Sequence, residues 1–149
     1  MRLAAVTLAA LFLPVLASAE GEATPLGFNE LAELFRAGHD SADFEKIAEL
    51  ICWDNVVADA RASLERHTAS EFGRPISSMS FEALTGDAVL EYEQAGVTYR
   101  PNLAPIGYLV VRYPPKPNDP TAATATHYLI GRKAGSLRIA TAAPASNQQ

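Results

Sequence analysis

Ile76-Ser77-Ser78-Met79-Ser80-Phe81-Glu82-Ala83 is where the chain changes its period. Met79, Phe81 and Ala83 alternate with Ser78, Ser80 and Glu82, the two-residue repeat of a half-buried strand. Apolar patterns before this stretch recur at helical spacing, and those after it read as strands. Helices first and strands afterwards predict an α+β domain. Its N-terminal helices should pack on one face of a curved, mainly antiparallel sheet.

Upstream lie three amphipathic patterns. Leu31, Leu34 and Phe35 share one face, with Glu30, Glu33 and Arg36 opposite; Asn29 is the expected N-cap and Gly38 the expected stop. Phe44, Ile47, Ala48 and Ile51 form the second stripe, capped by Asp40 or Ser41. The third carries Trp53, Val56, Val57, Ala60 and Leu64 and ends at Gly73 and Pro75. At about 100° per residue, Trp53 and Val57 would fall opposite Phe44 on one continuous helix. The chain must therefore break between Cys52 and Asn55, and Asp54 can cap the new start.

Downstream, residues 88–99 read either as two short strands about Gln94-Ala95-Gly96 or as a helical turn followed by a strand. Residues 103–113 are apolar on both faces, as a central strand would be. Pro114, Pro115, Pro117 and Pro120 make the next segment a loop, because proline removes ladder donors. Residues 124–131 and 136–141 then form a hairpin around Arg132-Lys133-Ala134-Gly135, with Gly135 supplying a positive φ. The domain is expected to occupy 28–143, after a lead-in at 20–27 and before a flexible polar tail at 144–149. Across roughly 28–143 this order of elements resembles the nuclear-transport-factor-2-like and cystatin-like group, in which a curved sheet wraps helices into a cone. The resemblance rests on element order and length, not on signature residues. It implies a pocket between helices and sheet and transfers no active-site residue.

The first nineteen residues read as an address. Met1-Arg2 precedes an uncharged apolar run over 3–16, and Ala17-Ser18-Ala19 places small residues before Glu20. That is the pattern of a cleaved signal peptide, so the mature protein is expected to be periplasmic or secreted. No later apolar stretch approaches the roughly 20 residues of a membrane span. Acidity and export together argue against nucleic acid. The charge is also uneven. Residues 20–96 carry 16 acidic and 5 basic side chains, whereas 97–149 carry 6 basic ones and only Asp119. Either the halves neutralise each other at a seam, or the second half presents an anion-binding surface. Cys52 is the only cysteine, so no intrachain disulfide forms; its apolar neighbours suit a buried, inert thiol, the alternatives being pairing between chains or reactivity.

Candidate chemistry is sparse. His39, His67 and His127 come from separate elements, and no metal-ligand spacing exists, so neither a metal nor a cofactor is expected. His67 lies near the apolar stripe of the third helix, where it can serve as acid or base in a pocket or simply bond a late carbonyl. His127 becomes a partner for His67 or Asp54 if it faces the helices, and a plain strand residue if it faces water. All five tyrosines fall in the second half of the chain. With Arg100, Arg112 and Arg138, the tyrosines Tyr108 and Tyr128 would make an aromatic, basic sheet face suited to a partner protein or an anionic ligand. The expected function is a small exported domain that binds a small molecule or an envelope protein, without a catalytic motif. Two alternatives stand beside it: a pocket enzyme of dehydratase or isomerase type using His67, and a structural or inhibitory protein of the cell envelope.

Overall fold

Helix α1, Phe28–Asp40, buries Leu31, Phe35, Gly38 and His39, the spacing of one helical face. A computed structural model describes residues 25–147; the expected leader, most of the lead-in, Gln148 and Gln149 lie outside the described residues. Leu34, expected on the buried face, is exposed, because the core lies along the line through Leu31, Phe35 and Gly38. Gly38 does not stop the helix. It is buried inside α1, where an added Cβ would stand 2.7 Å from Cγ1 of Ile47, so glycine here permits close approach of the next helix. Asn29 likewise sits within the helix; Gly27 occupies the N-cap without a side-chain bond.

The second helix, α2, spans Phe44–Ala48 and turns Phe44, Ile47 and Ala48 inward. Its cap is Asp43, whose carboxylate accepts from the backbone N–H groups of Glu45 and Lys46. Ser41 instead closes α1, donating from Oγ to the Ala37 carbonyl. The chain breaks after α2 as the mismatched stripes require. Ile51 forms a parallel bridge with Ile139, flanked by bonds from Cys52 N to Ile139 O and from Ile139 N to Leu50 O. Cys52 is buried and unpaired.

Helix α3 covers Ala58–Ala69 and so begins later than the sequence pattern suggests. Trp53 stands before it, its indole N–H bonded to the Ala48 carbonyl and its ring covered by the Arg61 guanidinium. Asp54 does not cap it; Val57 holds that position without a side-chain bond.

The strands form two antiparallel sheets rather than one. The larger has the order β1-β4-β5-β6, with β1 at Ser78–Ala83, β4 at Pro105–Arg112, β5 at Ala125–Lys133 and β6 at Ser136–Ile139. The smaller has the order β2-β3-β7, built from Tyr92–Gln94, Val97–Pro101 and Ala142–Pro144. Residues 88–99 thus take the two-strand alternative. The first residues assigned to a tail are not free either: Pro144 pairs with Tyr99, and Arg100 donates to the carbonyl of Ala145. At the β5–β6 hairpin Ala134 and Gly135 have φ of 47° and 82°, the two left-handed residues of a tight turn.

The fold class is α+β. Leu31, Phe35, Phe44 and Ile47 pack against Leu109, Val111, Tyr128, Ile130 and Ile139, so α1 and α2 cover one face of the larger sheet. The acidic and basic halves meet in two ion pairs, Asp54–Lys133 and Glu82–Arg112. Among the described residues no helix is long and apolar enough to cross a membrane.

Candidate functional site

An apolar helix stripe normally ends buried, yet in α3 only Thr68 does. Val57, Ala60 and Leu64 line an open cleft of about 910 Å³, Leu64 also packing partly against the core. The β2–β3 hairpin supplies the facing wall through Tyr92, Val97 and Tyr99, and the larger sheet adds Tyr108, His127 and Leu129. Register explains this last group. Tyr108 pairs with Leu129 and Val110 with His127, which puts these side chains on the face opposite Leu109 and Tyr128.

Aromatic pairs order both walls. Tyr92 and Tyr99 are cross-strand partners whose rings stack at 5.3 Å and 13°. Tyr108 meets His127 edge to face at 5.9 Å and 89°. Among the described residues seven large apolar or aromatic side chains are exposed, and four of them (Val57, Val89, Tyr92 and Val97) line this cleft. Such concentration marks a binding surface far better than scattered exposure does.

Comparison with known protein families, curated proteins and solved structures finds no match for this chain. The cleft must be interpreted from its own residues.

Five candidates from the sequence, His67, Arg100, Tyr108, His127 and Tyr128, border the cleft; Asp54, Arg112 and Arg138 do not. His67 and His127 are both exposed, and neither ring hydrogen-bonds to a described residue. His67 makes no carbonyl bond, so its place in the cleft wall is its only visible role. Tyr128 turns to the helix side, its ring 5.0 Å from that of Phe35, and burial pushes its hydroxyl up to about 12. The expected tyrosine–arginine face is thereby divided. Arg112 is engaged elsewhere: it lies along the outer face over the fully buried Val110, donating to Ser80 Oγ at 2.7 Å and to Glu82 at 2.6 Å. Arg138 stands on β6 opposite Gly131. Among the described residues no three His, Cys, Asp or Glu side chains gather as a metal site would need.

Asp54 has a partner of a different kind. The Lys133 ammonium donates to its carboxylate, holding Asp54 below its ordinary value and Lys133 above its own. The signs are opposite at the two ends of the scale. The Asp54 contribution is present above the usual carboxylate range and disappears as pH falls through its lowered value. The Lys133 contribution is present below the usual lysine range and disappears as pH rises through its raised value. Both groups are solvent-exposed, so Lys133→Met should change stability only slightly at neutral pH, with the small difference narrowing at both extremes in urea titrations.

The sequence reading missed Tyr92, Tyr99 and the cleft role of Val57 and Leu64. No sequence signal marked this, because the stripe reads as five residues, Trp53 to Leu64, and is short only because α3 begins at Ala58.

Proposed function

We propose that the protein is an exported binding domain whose ligand lies in the cleft between α3 and the β2–β3 hairpin. The carrying observation is that the incompletely buried apolar stripe of α3 lines one cleft with the stacked tyrosines. The lining is mostly apolar and aromatic, with Asp59, Arg66 and Arg100 as its charged residues and two imidazoles as polar handles. Such a wall suits a small amphipathic molecule with a ring or acyl body and a polar end, since tyrosine offers a broad apolar face and a hydroxyl together. The dehydratase-like alternative needs His67 bonded to a carboxylate or phenol, and an exposed, unbonded ring gives it less support.

Anilinonaphthalene sulfonate, an aromatic anion, is a suitable probe. Its titration should be saturable, and amide shifts in the NMR spectrum should cluster on α3 and the β2–β3 hairpin. Tyr108→Ala or Leu64→Ser should weaken binding about tenfold, within the range of a central contact residue. Phe81→Ser, on an exposed patch outside the cleft, should leave it unchanged. Wild-type affinity in both cleft variants would defeat the proposal.

A further inference from the structure

The chain carries 17 acidic against 12 basic side chains, yet the cleft between α3 and the β2–β3 hairpin has the opposite balance. Its charged lining residues are one carboxylate, Asp59, and two guanidiniums, Arg66 and Arg100. The hairpin register accounts for part of this. Tyr92 and Gln94 line the cleft with their partners Tyr99 and Val97, whereas Glu93 and its partner Thr98 alternate to the other face. On α3, Glu65 stays outside the lining, and Arg61 turns away to pair with Glu45 and cover Trp53. The acidic side chains of both walls are thus directed elsewhere, Asp59 excepted.

Arg66 is the unusual member. It lines the cleft from the last turn of α3, is exposed, and its guanidinium makes no hydrogen bond, ion pair or ring contact with another described residue. The other arginine of the lining, Arg100, already donates to the Ala145 carbonyl. Asp59 does not neutralise Arg66. The two stand about two helical turns apart, roughly 10 Å along the axis. That exceeds the roughly 8 Å over which an exposed charge acts in physiological salt. A fork of guanidinium donors therefore stands at the C-terminal end of the α3 wall without an acceptor. His67 follows it in the same wall and adds an unbonded imidazole.

We infer that the cleft selects organic anions, with a carboxylate, sulfonate or phosphate head group held by Arg66 and a ring or acyl body on the apolar lining of Leu64, Tyr92 and Tyr99. The inference rests on the cleft being a ligand site and adds the sign of the ligand's charge. A guanidinium fork matches two oxygens of such a head group at once, which a neutral alcohol or amine end does not offer. An ammonium head would meet Arg66 as a like charge, and Asp59 is the single carboxylate of the lining. The net negative charge of the chain makes this local excess of guanidinium a feature of the cleft rather than of the surface as a whole.

Anilinonaphthalene sulfonate and N-phenyl-1-naphthylamine share one aromatic skeleton and differ by the sulfonate, so titrating both into the full chain isolates the charge. Arg66→Gln should weaken the anionic probe about fivefold relative to the neutral one, the scale of one partly screened charge contact. Arg66→Lys should recover most of that difference. Lys116→Gln makes the same change of net charge in the loop after β4, outside the cleft, and should leave the anionic probe unaffected. Added salt should weaken the anionic probe more in the wild type than in Arg66→Gln. Arg66 is exposed and unbonded, so its variants keep the fold. An unchanged ratio of the two affinities in Arg66→Gln would overturn the inference and leave the cleft a ligand site. A wild type that binds neither probe would remove the cleft reading itself, and this inference with it.

Discussion

Asn102→Asp, an exchange of one amide group for an oxygen, is expected to cost roughly 3 kcal/mol of stability at neutral pH. Asn102 is a hub rather than a loop residue. Its Nδ2 donates to the carbonyls of Cys52 and Asp54 at 2.8 and 3.0 Å and reaches Thr141 Oγ1 at 3.0 Å. Its Oδ1 accepts from Thr141 N at 2.9 Å, and its own N–H bonds the Thr141 carbonyl. Thr141 Oγ1 completes the ring by donating to Cys52 O. These partners fix the amide orientation, since a flip would aim an oxygen at two carbonyls. In the Asp variant that repulsion is permanent and carries a charge. The folded state then favours the protonated acid, which can still donate once, so the folded value must lie above the ordinary Asp range near roughly pH 4. Protons are therefore held more tightly folded than unfolded, and stability should fall as pH rises through that window. Asn102→Ala loses the same bonds without adding charge and should cost about 2 kcal/mol with no such slope. Urea titrations of both variants across this pH range would separate the two effects; a flat profile for the Asp variant would show that the hub is hydrated rather than closed.

The hub also joins the parts that frame the cleft. It ties the end of β3 to the residue before β7 and to the turn before α3. Both Pro101 and Thr141 border the cleft. Loosening Asn102 should consequently weaken binding of the anilinonaphthalene sulfonate probe at the proposed cleft through geometry, without altering a residue that lines it.

The position of β1 was legible from its alternation, and the proline run after Tyr113 separates β4 from β5. The half-burial that the alternation predicts is not realised, since Phe81 and Ala83 are exposed. The break between the second and third stripes was legible from periodicity as well. The caps were not. Asp40 or Ser41 was the expected cap of the second helix, but α1 runs on to Asp40 and is closed by Ser41, so the cap falls to Asp43. The cleft was half visible. His67, His127, Tyr108 and Arg100 were singled out separately, but their meeting depends on a second small sheet formed by β2, β3 and β7. Two of those strands have only three residues, too short for any periodicity to announce. Tyr128 shows the complementary failure. A tyrosine on a strand reads as a half-exposed residue, whereas here it faces Phe35 and leaves its hydroxyl inside.

Phe35→Ala and Leu34→Ala, adjacent on α1, should differ in cost severalfold. Phe35 is fully buried, with its ring against Tyr128 and its helix neighbour Leu31 also at zero exposure. Truncation there removes the transfer free energy of a benzyl group and leaves a cavity that two rigid layers cannot close, together about 3–5 kcal/mol. A domain of this size holds on the order of 5–15 kcal/mol in total, so the variant should approach unfolding at moderate temperature. Leu34 is 47 % exposed, so its truncation should cost only about 0.5–1 kcal/mol. The sequence stripe alone places both on one apolar face and predicts comparable losses. Urea midpoints measured at unchanged slope distinguish the two pictures. A large loss at Leu34 would mean that this flank of α1 is covered in solution, either by residues before Pro25 or by a second copy of the chain. A small loss at Phe35 would mean that the sheet and α1 are not in contact, and the layered core described above would be wrong.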